Sequence, residues 1–145
     1  MGTILVIYYS GSGNTKKMAD LVAEGAAAGG RHTVKTVPVD EVDMAEFTAA
    51  NGYAFGSPDY FTYMAGQMKV FFDRTLPLVK SVKGKPFVSF VSHGGGGGAI
   101  EGLDTLGKAI GLKQAAEGVK SQGPPAKQAA EDCRALGKKL AEAVA

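Results

Sequence analysis

Apolar and polar positions along the chain fall into two kinds of segment, short continuous runs and longer periodic stripes. Thr3 to Tyr9 is an almost unbroken β-branched and apolar run, which is typical of a strand buried on both faces. Asn14 to Ala28 instead repeats its apolar residues at helical spacing, and Gly29-Gly30 follows as a stop signal. The beginning of the chain therefore predicts one strand followed by one helix.

The same alternation continues along the chain. Further runs predict strands over His32–Val39, Asn51–Gly56, Phe87–Ser92 and, more weakly, Leu112–Val119. Helical spacing predicts helices over Met64–Leu78, over Ile100–Ile110 and after Gly123-Pro124-Pro125. Since parallel strands need crossover helices, we expect one α/β domain over residues 1–145. Its expected architecture is a three-layer doubly wound sandwich with a five-stranded parallel sheet in the order 2-1-3-4-5, because the runs are too short and too β-branched for a helical bundle.

Composition and charge exclude several classes of function. The single cysteine, Cys133, rules out an internal disulfide and lies on an apolar helical stripe, where it reads as a small core residue. The net charge of +2 comes from scattered lysines and arginines, which does not favour nucleic acid as a partner. No apolar run is long enough for a membrane span, and no basic segment precedes the first strand as in a signal peptide. We expect a cytoplasmic protein, monomeric or weakly oligomeric, with no metal site.

Three polar or glycine-rich loops follow predicted strands one, three and four. They are Ser10–Thr15, Ser57–Tyr63 and Ser92–Gly98. In an open α/β sheet, ligands bind beyond the carboxyl ends of the strands, near the point where the strand order reverses. The three loops are therefore expected to line one crevice.

The first loop has the composition of an anion site. It consists of Ser10, Gly11, Ser12, Gly13, Asn14 and Thr15, and it joins a buried strand to a helix N-terminus. Free N–H groups at helix N-termini attract phosphate, and glycines let the backbone curl around it. A glycine-rich turn capped by Asn14 or Thr15 is the simpler alternative, but four donor side chains in six positions favour phosphate.

This loop resembles the FMN phosphate loop of the flavodoxin family, whose usual form is Ser/Thr-x-Thr-Gly-Asn-Thr, and the resemblance extends over nearly the whole chain. It implies FMN as the cofactor and a flavodoxin-like fold of the short-chain type. It also implies that the middle loop lies beside the isoalloxazine ring, through Ser57, Pro58, Asp59, Tyr60 and Phe61. Tyr60 and Phe61 are the candidates for stacking on the ring.

By the same resemblance, the third loop approaches the pyrimidine edge of the ring. It contains Ser92, His93, Gly94, Gly95, Gly96, Gly97 and Gly98. Its glycines expose backbone N–H and C=O groups and permit a peptide flip toward the flavin N5. His93 borders this site and is a candidate for electrostatic tuning of the flavin.

The chain departs from the usual flavodoxin pattern in two respects. It contains no tryptophan, and its third loop has no aromatic residue, so one ring face is expected to be open. It is also slightly basic, whereas flavodoxins are usually acidic. The favoured function is one-electron transfer by FMN between redox partner proteins, with no catalytic side chain.

Two other functions remain open at this point. The segment from Ser57 to Lys69, with its Met64-Ala65-Gly66-Gln67-Met68 run, is similar to NAD(P)H:quinone reductases that share the fold. That similarity suggests an NAD(P)H-dependent quinone or flavin reductase in which the open ring face admits nicotinamide. A flavin-binding regulatory module is the third hypothesis. Whether the protein is an enzyme is therefore left open.

Overall fold

The computed structural model describes residues 2–145, which form a central sheet covered by helices on both faces. The strands are β1 (Thr3–Tyr8), β2 (Thr33–Pro38), β3 (Gly52–Tyr60), β4 (Tyr63–Met64), β5 (Pro86–His93), β6 (Lys113–Gln114) and β7 (Val119–Gln122). The parallel order is β2-β1-β3-β5, with both β6 and β7 pairing to the outer side of β5. This confirms the predicted fold class and its order 2-1-3-4-5, with two short strands in the fifth place.

The helices divide into two layers. They are α1 (Asn14–Ala27), α2 (Met44–Ala49), α3 (Gly66–Arg74), α4 (Val79–Val82), α5 (Ala99–Ala109) and α6 (Lys127–Ala143), with 3-10 turns at Val39–Glu41 and Leu76–Leu78. The side chains of α1 and α6 pack on one face of the sheet, and those of α2 to α5 pack on the other. None of the helices within residues 2–145 is both long and apolar enough to cross a membrane.

The two layers use different side chains. The α2–α5 layer is aromatic, because Phe47, Tyr53, Phe55 and Phe71 form a chain of ring contacts. The Tyr53 hydroxyl donates to the carbonyl of Phe47, and burial raises the pKa of Tyr53 above its ordinary range. The α1/α6 layer is built mainly from aliphatic and small residues, with Tyr8 and Phe90 as its aromatic members. Glycines at positions 25 and 137 allow α1 and α6 to approach closely.

Strand β3 is longer than predicted. We expected it to end before Ser57-Pro58, but it continues to Tyr60, with Pro58 opposite Ser92 of β5. The Gly56 carbonyl accepts the Tyr9 N–H on the β1 side of the strand. Since alternate residues face the same neighbour, the Pro58 nitrogen also faces the β1 side, past the last β1 pair. The proline therefore removes no ladder hydrogen bond.

The predicted helix over Met64–Leu78 is wrong at both ends. Met64 belongs to β4, which forms a tight antiparallel hairpin with β3, and the helix α3 spans only Gly66–Arg74. The two turn residues, Phe61 and Thr62, have φ of 56° and 66°. Hairpin turns with positive φ at both central residues are usually marked by Asn-Gly or Asp-Gly, and Phe61-Thr62 gives no such signal. The predicted middle loop, Ser57–Tyr63, is therefore the end of strand β3 followed by the hairpin turn into β4.

The fifth predicted strand, Leu112–Val119, is also displaced. The chain pairs with β5 at Lys113–Gln114, leaves it, and pairs again at Val119–Gln122. Its apolar signal is weak because this edge strand is only half-buried. The short helix α2 was not predicted from the sequence.

Candidate cofactor-binding site

A cavity of about 430 Å³ opens at the carboxyl ends of β1, β3 and β5. This volume lies within the range of small-molecule and cofactor sites. The lining residues come from all three predicted loops and from the end of β7: Ser12, Asn14, Pro58, Asp59, Tyr60, Ser92, His93, Gly94, Gln122 and Gly123. The fold therefore brings the predicted loops together in one crevice.

The first loop presents free backbone donors. Ser10 Oγ accepts the N–H groups of Gly13 and Lys16, at 3.1 and 3.2 Å, which fixes the curl of the loop. Gly13 precedes α1 with φ of 99°, a conformation that favours glycine. Within residues 2–145, the N–H groups of Asn14 and Thr15 have no acceptor. A helix N-terminus with open N–H groups and no acidic residue in its first turn is suited to an anion.

The side chains of Thr15 and Ser92 connect this loop to β5. Their hydroxyl oxygens are 2.7 Å apart, and both residues are buried, with exposures of 1% and 5%. The first loop and the third loop therefore meet through a direct hydrogen bond, and Ser92 also lines the cavity.

The middle segment contributes one structural and three cavity-lining residues. Ser57 is fully buried, and its hydroxyl accepts the Ala65 N–H and donates to the Pro58 carbonyl, so it holds the hairpin. The Tyr60 side chain reaches across the crevice, and its hydroxyl lies where a Cβ at Gly11 would be. Glycine at position 11 thus admits the tyrosine.

The third loop is fastened to its neighbours. Asp59 Oδ2 accepts the Gly97 N–H at 2.8 Å, and Gln122 Nε2 donates to the Gly94 carbonyl at 3.3 Å. Asp59 Oδ1 and His93 Nδ1 are buried but have no hydrogen-bond partner among the described residues. Buried polar atoms without partners are uncommon, and both residues line the cavity. A bound molecule with polar edges could supply the missing partners.

Other predicted residues lie outside the cavity lining. Phe61 is fully exposed at the hairpin tip, while Gly95 and Gly96 are exposed on the outer side of the third loop. Their assignment to the cofactor stays a prediction. No three His, Cys, Asp or Glu side chains in the part of the chain described form a group that could hold a metal.

Sequence reasoning missed two residues of the cavity, Gln122 and Gly123. Gln122 is the last residue of β7 and Gly123 follows it, whereas the predicted fifth strand ended at Val119. The turn signal Gly123-Pro124-Pro125 could have identified the correct strand end, because ligand-binding loops follow the carboxyl ends of strands.

Comparisons with known proteins agree with this geometry. The flavodoxin family model matches residues 6–137. A flavodoxin of Aquifex aeolicus (strain VF5) is 38% identical over the whole chain, which covers 88% of that protein. The solved structure of a flavodoxin from the domain Archaea superimposes with a TM-score of 0.89 at 28% identity, covering 97% of this chain and 96% of the other.

A second kind of relative is also similar. An NAD(P)H dehydrogenase (quinone) of Archaeoglobus fulgidus is 37% identical over 66% of this chain and 65% of its own length. The match to the Aquifex flavodoxin extends further along both proteins, over the whole of the present chain. The chain therefore belongs to the flavodoxin family and is an FMN-binding electron-transfer flavoprotein.

Proposed function

We propose that the loop from Ser10 to Thr15 holds the FMN phosphate. The observation that carries this proposal is the set of open backbone N–H groups at the start of α1, beside a loop whose curl is already fixed by Ser10. A phosphate dianion accepts hydrogen bonds and is favoured by the positive end of the helix dipole. The hydroxyls of Ser12 and Thr15 and the amide of Asn14 add side-chain donors.

The isoalloxazine ring is proposed to lie between the end of β3 and the third loop. Tyr60 is the aromatic residue positioned along the crevice, in edge contact with Tyr9 at 6.4 Å between ring centroids. Asp59 Oδ1 and His93 Nδ1 are both buried without a hydrogen-bond partner among the described residues, which supports a polar ring edge at these residues. When bound, FMN supplies the redox chemistry; the protein binds it, orients it and excludes water from its buried edge.

A carrier of electrons needs a donor and an acceptor, which we propose to be redox partner proteins. Monomer or weak oligomer is the proposed state. We also propose a cytoplasmic location, supported by Cys133, which is a free and buried thiol of the kind that persists in reducing compartments.

Titration of the apo-protein with FMN tests the binding proposal. Expected are saturable quenching of flavin fluorescence and retention of a yellow absorbance after gel filtration. Loss of FMN on filtration, together with unquenched fluorescence at micromolar protein, would contradict it.

The carrier function is tested against direct reduction by nicotinamide. This alternative is tested because the chain is similar to an NAD(P)H dehydrogenase (quinone). After stopped-flow mixing with NADPH, a carrier keeps its oxidised flavin absorbance for minutes, whereas a reductase bleaches within seconds. Rapid bleaching by NADPH alone excludes a pure carrier. Electrochemical titration then separates one-electron steps from a single two-electron step.

A further inference from the structure

The hydroxyl pair of Thr15 and Ser92 joins two parts of the site that are far apart in sequence. Thr15 lies in the first turn of α1, and Ser92 is the residue before His93 and the glycine run Gly94–Gly98. Their oxygens are 2.7 Å apart and both side chains are buried. Because both side chains are so little exposed, water competes only weakly for either hydroxyl.

With the two oxygens where they are, the hydrogen bond can run in either direction. Each hydroxyl has one hydrogen, and either oxygen can be the donor. A phosphomonoester dianion at the start of α1 accepts but cannot donate. It therefore favours the arrangement in which Ser92 donates to Thr15 Oγ1 and the Thr15 hydrogen turns toward the anion.

We propose that the Thr15–Ser92 pair couples phosphate binding in the first loop to the conformation of the glycine run Gly94–Gly98. Ser92 is then a positioning residue that acts on the phosphate through Thr15. This inference rests on the proposed FMN site. The run is also attached to two neighbouring strands, because Gln122 Nε2 donates to the Gly94 carbonyl and Asp59 Oδ2 accepts the Gly97 N–H.

If the hydrogen bond only stabilises the fold, its removal should change flavin affinity differently than if it couples the phosphate to the glycine run. If the pair only stabilises the fold, its loss affects every flavin equally. If it couples to phosphate, its loss affects FMN but not riboflavin, which has the same ring and no phosphate. The ratio of FMN affinity to riboflavin affinity is therefore the diagnostic quantity.

The first test measures this ratio by fluorescence titration. Ser92→Ala is expected to lower it about tenfold, the effect of one hydrogen bond, and Thr15→Val by at least as much. Adding Ser92→Ala to Thr15→Val should lower it no further, and Thr15→Ser, which keeps the hydroxyl, should preserve it. The matched control is Ser89→Ala, because Ser89 is a buried serine of the same strand whose Oγ has no partner. Equal weakening of both flavins by Ser92→Ala, or of neither, overturns the proposal.

The second test needs no flavin. Hydrogen exchange of the apo-protein is followed with and without inorganic phosphate. Phosphate is expected to slow exchange at Gly94–Gly98 in the wild type and in Ser89→Ala, but not in Ser92→Ala. Identical responses in all three proteins contradict the coupling. Failure of the wild type to bind FMN would instead reject the proposed site, so the two failures are distinguishable.

Discussion

Glycines serve different purposes in two regions of the molecule, the contact between α1 and α6 and the carboxyl end of the sheet. Between the helices, glycines allow backbone to meet backbone: a Cβ at Gly25 would collide with the Arg134 carbonyl, and one at Gly137 with the Val22 carbonyl. At the carboxyl end, Gly13, Gly94 and Gly95 instead have open space around them. Gly13 has no heavy atom within 4 Å of its Cβ position, and the hairpin turn beside the cavity holds Phe61 and Thr62 at positive φ.

The difference separates what stabilises the fold from what prepares it for a ligand. The helix contact is closely packed, and its core neighbours are apolar. The carboxyl end keeps unpartnered polar atoms on Asp59 and His93 and an exposed aromatic residue at Phe61. Strain and unsatisfied groups of this kind concentrate at functional sites. Substitutions in the first region should change the free energy of unfolding, and those in the second should change ligand affinity.

The largest effect is expected for Gly25→Ala. Because the added methyl meets the backbone of α6, the two helices must separate, and the free energy of unfolding should fall by about 3 kcal/mol or more. Urea denaturation measures the loss. The matched control is Gly29→Ala, whose Cβ position has no heavy atom within 4 Å; it should stay within about 0.5 kcal/mol of wild type. Equal losses of stability in the two variants would show that the close helix contact at Gly25 is not their cause.

The loss of folding stability at alkaline pH should depend on Cys133, which also lies in the α1/α6 layer. Burial raises the pKa of the Cys133 thiol from 9.0 to about 11. Above pH 9 the unfolded chain loses this proton while the folded protein keeps it, so stability falls as pH rises from about 9 to 11. Cys133→Ala should remove roughly 2 kcal/mol of that fall. Denaturation at several pH values checks this, and Val144→Ala, a core change without a titrating group, should keep the wild-type slope.

Gly13→Ala should act mainly on FMN. The substitution disfavours φ of 99° and turns the free N–H groups of α1 away from the phosphate, so FMN affinity should fall about tenfold. Gly30→Ala is the control, because Gly30 also has positive φ, 67°, and open space around it but lies at the other end of α1. Both should lose about 1 kcal/mol of stability, and only Gly13→Ala should lose FMN affinity. A similar affinity loss in Gly30→Ala would mean that the effect is global.

The smallest expected effect is a gain. Asparagine tolerates positive φ better than a β-branched residue, so Thr62→Asn should raise the free energy of unfolding by about 0.5–1 kcal/mol. Thr105→Asn, on the exposed face of α5, makes the same chemical change at a helical position and should be close to neutral. Thermal denaturation compares the two. A loss of stability in Thr62→Asn would show that the turn is not strained.

The accuracy of the sequence-based predictions differs along the chain for physical reasons. Buried strands such as β1 are continuous apolar runs, and the parallel order follows from their alternation with helices. The end of β3 was misjudged because Pro58 is tolerated beyond the last β1 pair, and the hairpin because Phe61-Thr62 is an unusual turn sequence. The proposed phosphate loop could be predicted from local residue types. The Thr15–Ser92 pair was not, since it joins residues that only the sheet brings together.

The interruption between β6 and β7 has a consequence for behaviour in concentrated solution. A sheet edge with free N–H and C=O groups can recruit the edge of another molecule and start aggregation. Here the outer edge beyond β5 is two short pieces of two and four residues, too short to template a long ladder. The opposite edge, β2, carries a charged Lys35 and ends in Pro38, which also oppose strand addition. Both edges therefore carry features that oppose strand pairing between molecules.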